Sequence, residues 1–159
     1  MPSELNGHIQ KAVNAHIQSI VRLAYTYVQN IQDAEDIAQD TFVSYLQAGK
    51  TFENDEHEKA WLLRVCMNKC KNLLKSGWHK SRNPLPEDLP ALSPEENSML
   101  GEVMRLDEKY RVPIHMYYYE GYTIADIAVL LNLPSATVGT RLARAKSQLK
   151  KNLGGALDG

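Results

Sequence analysis

Three groups of residues have types and spacings that chemistry could use. The first is Cys66 and Cys70, four apart, with His79 a little further on. Two thiols and an imidazole can hold a metal or cycle through redox states. A C-x3-C pair without a second ligand pair is nevertheless a weak metal signal. Two small apolar side chains on a helix in a reducing compartment account for it better. The second is Asp36 and Asp40, with Gln39 beside them. Paired carboxylates suit acid–base catalysis, but no nucleophile or glycine-rich loop accompanies these. His57-Glu58 lacks the second histidine of a zinc-protease helix, and His8, His16 and His115 are scattered. The third is Thr137, Thr140, Arg141 and Arg144, hydroxyls and guanidiniums that bond phosphate and base edges. The chemistry on offer is binding. No catalytic residue, metal site or cofactor is expected, and the chain is not expected to be an enzyme.

The elements that must carry these groups are helical, because strand signals are nearly absent. A first helix is expected from about His8 to Gln29. A second starts at Asp33 as N-cap, with Ala34, Ile37, Ala38, Thr41, Phe42, Tyr45 and Leu46 as its buried stripe and Gly49 as its end. Asp36, Gln39 and Asp40 then share its outer face, since positions i, i+3 and i+4 lie together. A third helix, about His57 to Lys75, has an apolar stripe of Trp61, Leu62, Val65, Cys66, Leu73 and Leu74. Pro84, Pro86, Pro90 and Pro94 fall within eleven residues and exclude continuous helix, so an acidic, flexible linker is expected there.

Beyond it the helical pattern resumes from about Met99, and a helix from about Lys109 to Tyr119 stops at Glu120-Gly121. Two helices follow, Thr123–Leu131 and Ser135–Asn152, joined by the tight turn Asn132-Leu133-Pro134. Thr123 and Ser135 are expected N-caps. Ile124, Ile127, Ala128 and Leu131 should face Val138, Leu142, Ala145 and Leu149. Ala128 allows close crossing, and Asn132 suits a left-handed turn. This is the layout of a helix-turn-helix. Its second helix would expose Ala136, Thr137, Gly139, Thr140, Arg141, Ala143, Arg144 and Ser147. The competing reading is a helical hairpin that packs on protein.

The 159 residues are 43% hydrophobic and 23% charged, with a net charge of −1, which alone argues against a nucleic-acid binder. The average hides segregation. Residues 31–60 hold eight acids against Lys50 and Lys59, whereas residues 61–82 hold six bases and no acid. Arg141, Arg144, Lys146, Lys150 and Lys151 follow without an acid until Asp158. Two basic blocks, one per expected domain, fit a bipartite polyanion contact, although solvated helix faces would read the same way. No apolar run is long enough to span a membrane and no secretion signal is visible, so no membrane insertion and a cytoplasmic location are expected.

Several segments, in order, resemble the sigma-70 family of RNA polymerase subunits, specifically its short extracytoplasmic-function group. They are Asp33-Ala-Glu-Asp-Ile-Ala-Gln-Asp-Thr-Phe42, Ala60-Trp-Leu-Leu-Arg-Val65 with Asn68 and Asn72, Tyr119-Glu-Gly-Tyr-Thr-Ile-Ala-Asp-Ile-Ala128, and Thr137-Val138 with Arg141-Leu142 and Arg144-Ala145. The resemblance covers about His8 to Leu153. It implies an all-α chain of two small helical domains. A region-2-like bundle would span 1–78, a linker 79–95, a region-4-like helix-turn-helix 96–154 and a tail 155–159.

It implies roles as well. Asp36, Gln39 and Asp40 would dock on the β′ clamp helices of core polymerase. Phe52, Trp61, Asn68, Lys71 and Asn72 would recognise and melt the −10 promoter element, with Asn68 and Phe52 near a flipped-out base. For Trp61 simple core packing competes, since it lies on the apolar stripe. Ser135, Thr137, Gly139, Thr140, Arg141, Arg144 and Lys146 would read the −35 element. The linker would thread through the polymerase, and the β flap and an anti-sigma factor are further implied partners. The chain departs from the family pattern at Ala136, Gly139 and Ala143 on the reading helix and at Glu58, where an aromatic is common. A self-standing helix-turn-helix regulator, binding a palindrome as a dimer, is the alternative reading.

Overall fold

The computed structural model describes residues 3–76 and 94–153, with side chains from Gly7 to Ser76 and from Met99 to Asn152. The expected linker lies outside these residues except for Pro94 and Glu95, and the tail and His79 lie outside as well. Among the described residues there are seven helices and no strand: α1 (Ser3–Val28), α2 (Ile31–Ala48), α3 (Asp55–Ser76), α4 (Pro94–Val103), α5 (Glu108–Tyr118), α6 (Ile124–Leu131) and α7 (Ser135–Leu153). Two compact units divide at residues 83 and 84. Pro94, expected in the linker, opens α4, because the first helical position needs no N–H donor.

In the first unit α1, α2 and α3 pack on one another. Ile20, Leu23, Leu62 and Leu63 are fully buried at its centre, and each such side chain contributes roughly 1.5–3 kcal/mol. The chain reverses between α1 and α2 through Gln29, at φ 55, and Asn30. Asn30 is the N-cap of α2, not Asp33. Its extended backbone lets its Oδ1 accept the Asp33 N–H at 3.0 Å, which leaves Asp33 in the first turn, where a negative charge is still favourable. Gly49 ends α2 in the left-handed region, as expected.

The stripe of α3 is rotated from its expected phase. Leu62, Leu63, Cys66, Met67 and Cys70 are buried, while Trp61, Val65, Leu73 and Leu74 are only half-buried. Apolar residues occupy both 61–63 and 65–67, so the packing of α1 and α2 selects the inward side. Both cysteines are free and buried, and the Cys66 Sγ–H points to the Ile20 carbonyl at 3.7 Å.

In the second unit α7 packs against α4, α5 and α6. Val138, Leu142, Ala145 and Leu149 are buried on its inner face, as their spacing requires. Thr123 caps α6 in a reciprocal box with Asp126 (3.1 and 3.3 Å), and Asn132 closes it at φ 56. Two expectations fail. Ile124 is 39% exposed, and Leu130 is buried instead, because α6 meets α5 as well as α7. Ser135 is the first helical residue of α7, since the Pro134 carbonyl already accepts the Val138 N–H at 3.1 Å. Pro134 therefore holds the cap position.

Gly139 lies inside α7 with nothing within 4 Å of where a Cβ would stand. Its backbone freedom serves no turn. Gly139→Ala should stabilise the second unit by about 0.5–1 kcal/mol and raise its thermal midpoint by a few degrees. Thermal unfolding of the full chain followed by circular dichroism would check this; a lowered midpoint would contradict the open space seen beside Gly139.

Candidate nucleic-acid and polymerase interfaces

The first surface is the outer face of α2. Asp36, Gln39 and Asp40 are exposed there, with Ile37, Ala38 and Thr41 buried behind them. The Thr41 hydroxyl donates to the Ile37 carbonyl at 2.8 Å, so it stays internal. Val43 is 50% exposed one turn beyond Asp40. Sequence reasoning missed Val43, although its position off the buried stripe was a usable signal. Two carboxylates, an amide and an apolar side chain on one face suit a basic protein surface with an apolar spot. They would repel phosphate.

The second surface runs along α3. Asn68, Lys71 and Asn72 are exposed. Arg64 and Lys75, also exposed, fall on the same side at helical spacing and extend the stripe, and no acid follows Trp61 on this helix. These two bases were visible in the sequence only as part of a charge block. Phe52 and Trp61 sit beside this stripe. Both are half-buried, with ring centroids 5.9 Å apart and planes tilted by 54°. Tyr45 lies beneath them, stacked on Phe52 at 6.0 Å and edge-on to Trp61 at 6.1 Å. Trp61 is neither core nor free: its ring meets Tyr45 and Phe52 at an angle, and part of it remains open. That is the geometry on which an unstacked base can rest.

The third surface is a cleft of about 370 Å³ between the start of α5 and the outer face of α7. Lys109, Tyr110, Ala136, Thr137, Thr140, Arg141 and Arg144 line it, three of them cations and none an acid. It brings together four of the residues expected to touch DNA: Thr137, Thr140, Arg141 and Arg144. Ser135, Gly139 and Lys146 do not line it. The Lys146 ammonium lies over the Tyr117 and Tyr118 rings, at 5.1 and 5.7 Å from their centroids. The Thr140 hydroxyl donates to the Ala136 carbonyl at 3.0 Å, so towards a ligand its oxygen acts as an acceptor. Lys109 and Tyr110 were missed, because nothing local in the sequence tells that the start of α5 borders α7. Among the described residues no cluster of three metal-ligating side chains occurs, and no helix is long and apolar enough to cross a membrane.

Comparison with known proteins identifies both units. Residues 12–80 match the model for sigma-70 region 2, and residues 98–149 match that for sigma-70 region 4. The ECF RNA polymerase sigma factor SigW of Bacillus subtilis is 26% identical over 89% of this chain and 86% of its own length. The ECF RNA polymerase sigma factor SigM of Mycobacterium tuberculosis is 28% identical over 87% of this chain and 74% of its own. Among solved structures, CnrH in complex with the cytosolic domain of CnrY is 26% identical, with a TM-score of 0.67 over 93% of this chain and 88% of that one. The fold also recurs at 20% identity and a TM-score of 0.70 in the sigma factor RpoE bound to the anti-sigma factor NepR from Bartonella quintana, over 94% of this chain and 98% of that one. With an all-helical unit matching region 2 and a helix-turn-helix unit matching region 4, the chain belongs to the sigma-70 family as an RNA polymerase sigma factor of the extracytoplasmic-function group.

Proposed function

We propose a division of labour between the three surfaces. The Asp36–Gln39–Asp40 face of α2, extended by Val43, docks on the β′ clamp helices of core polymerase. Phe52, Trp61, Asn68, Lys71 and Asn72 engage the −10 element. The Phe52–Trp61 pair receives a base flipped from the non-template strand, and the basic stripe of α3 follows the strand backbone. The outer face of α7, from Ser135 to Lys146, enters the major groove at the −35 element. There Arg144 reads or clamps the duplex, while Lys109 and Arg141 hold phosphate at the cleft. The second unit also meets the β flap. The protein catalyses no reaction itself and works in the cytoplasm, beside polymerase and chromosome. An anti-sigma partner, such as the one bound to the Bartonella factor, is a further reading; Val129, 69% exposed on α6, is an apolar handle for it.

The observation that carries this reading is the separation of charge by helix. The exposed face of α2 is acidic, whereas α3 from Trp61 onward and all of α7 carry bases without an acid. An acidic face and a basic face on one small unit suit two partners of opposite sign, a basic protein and a nucleic acid. Run-off transcription with core polymerase on a randomised promoter library tests it. Transcripts that require both this protein and core enzyme, with two enriched promoter elements, are the expected result. Tight binding to a palindrome without core enzyme, and no transcripts, would instead establish the self-standing regulator.

A further inference from the structure

Glu58 is a carboxylate held inside the first unit, on the helix that carries the basic stripe. It stands in the first turn of α3, three residues before Trp61, where a carboxylate turned outward would repel the DNA strand. It is turned inward: its side chain is 13% exposed. Oε1 lies 3.0 Å from His16 Nε2 on α1, whose side chain is 6% exposed. Oε2 accepts the Tyr45 hydroxyl from α2 at 2.8 Å. That hydroxyl has one proton. With the proton given to Glu58, its oxygen is free to accept from His8 Nε2, 2.6 Å away. Burial, with the hydrogen bond and charge of Glu58, pushes the phenol well above its ordinary range and keeps it a donor. One carboxylate thus ties three helices together.

Tyr45 joins this network to the nucleic-acid surface. Its hydroxyl end belongs to Glu58, and its ring is the support under Phe52 and Trp61. Tyr45 is 4% exposed, so it is held on all sides. Phe52 comes from the segment between α2 and α3, which no regular hydrogen-bond ladder fixes. Its attitude depends on what it stacks against. A flipped base gains from an aromatic platform only when the platform already stands at the right angle.

We propose that Glu58, Tyr45 and His16 are positioning residues for promoter melting, setting the Phe52–Trp61 platform that receives the flipped base. This rests on the reading of Phe52 and Trp61 given above, and the experiment separates the two. Full-length Tyr45→Phe, which keeps the ring, and Glu58→Gln, which keeps the shape, are assembled with core polymerase on a promoter selected by the unaltered protein. Melting is followed by 2-aminopurine fluorescence within the −10 element, and run-off is repeated on a template with that element already unpaired.

Duplex melting should slow by about three- to tenfold, the scale of a weakened hydrogen-bond network. On the unpaired template both variants should come within about twofold of the unaltered protein, since the step they impair is bypassed. A purely structural role would depress both templates alike, and that result would overturn the proposal. So would melting at the unaltered rate, provided Phe52→Ala and Trp61→Ala are slow in the same assay. If those two also melt duplex normally, it is the assignment of the platform itself that fails.

Discussion

Asp36→Arg combined with Asp40→Arg is expected to weaken binding to core polymerase by at least about 100-fold, the equivalent of roughly 3 kcal/mol. Both side chains are exposed on α2, four residues apart, with the buried stripe on the opposite side. The change reverses two charges on the face proposed to dock, four units in all. Against a basic partner, each reversal loses an attraction and adds a repulsion, and like charges juxtaposed at an interface cost several kcal/mol. The cost to the fold is small by comparison. Two arginines four apart repel by about 0.2–0.5 kcal/mol on a helix surface, and neither replaced residue contributes to the core. The variant should therefore keep the helical circular dichroism and thermal midpoint of the unaltered chain. Anisotropy of a labelled protein titrated with core enzyme measures the loss. Undiminished affinity would move the docking face elsewhere on the first unit.

Much of this architecture was legible in the sequence, and what was not has a physical reason. Val138, Leu142, Ala145 and Leu149 recur at helical spacing on a helix polar elsewhere, so their burial follows from periodicity alone. Asn132 and Gly49 announced their left-handed turns through backbone sterics, also a local property. The phase of α3 was not local. Its first half is apolar over too wide an arc to choose a side by itself, and α1 and α2 made the choice. Asp33 suits an N-cap by residue type, yet the reversal at Gln29–Asn30 set the cap three residues earlier. The Glu58 network was beyond reach of any motif: its members come from α1, α2 and α3, and only folding brings a carboxylate 42 residues along the chain to His16. The cleft at α5 and α7 is another product of tertiary packing. At the cleft Thr137, Thr140, Arg141 and Arg144 suggested binding from the start; Lys109 and Tyr110, which complete it, were what the sequence withheld.

The cleft sets the second large expected effect. Replacing Arg141 and Arg144 together by alanine should reduce transcription from a promoter that depends on its −35 element by about 30- to 300-fold, while leaving core binding intact. Arg144 is exposed and Arg141 half-buried at the same cleft. A guanidinium paired to a base edge is worth about 1–3 kcal/mol of discrimination. One that holds only phosphate contributes chiefly through counterion release, about 0.9 in the slope of log affinity against log salt for each contact on duplex DNA. The two contributions separate experimentally. Holoenzyme binding to the promoter is measured across a salt series for Lys109→Ala, Arg141→Ala, Arg144→Ala and the double variant. Lys109→Ala should lower the slope by about one and weaken every −35 sequence alike, as a phosphate contact does. Arg144→Ala should in addition relax preference at one or two −35 positions if it reads bases. With Gly139 and Ala143 offering no long side chain on the outer face of α7, the discrimination proposed for this helix should concentrate on Arg144 and the threonine oxygens. Unchanged sequence preference in Arg144→Ala would mean that this helix only clamps the backbone, and that promoter choice rests with the aromatic platform of the first unit.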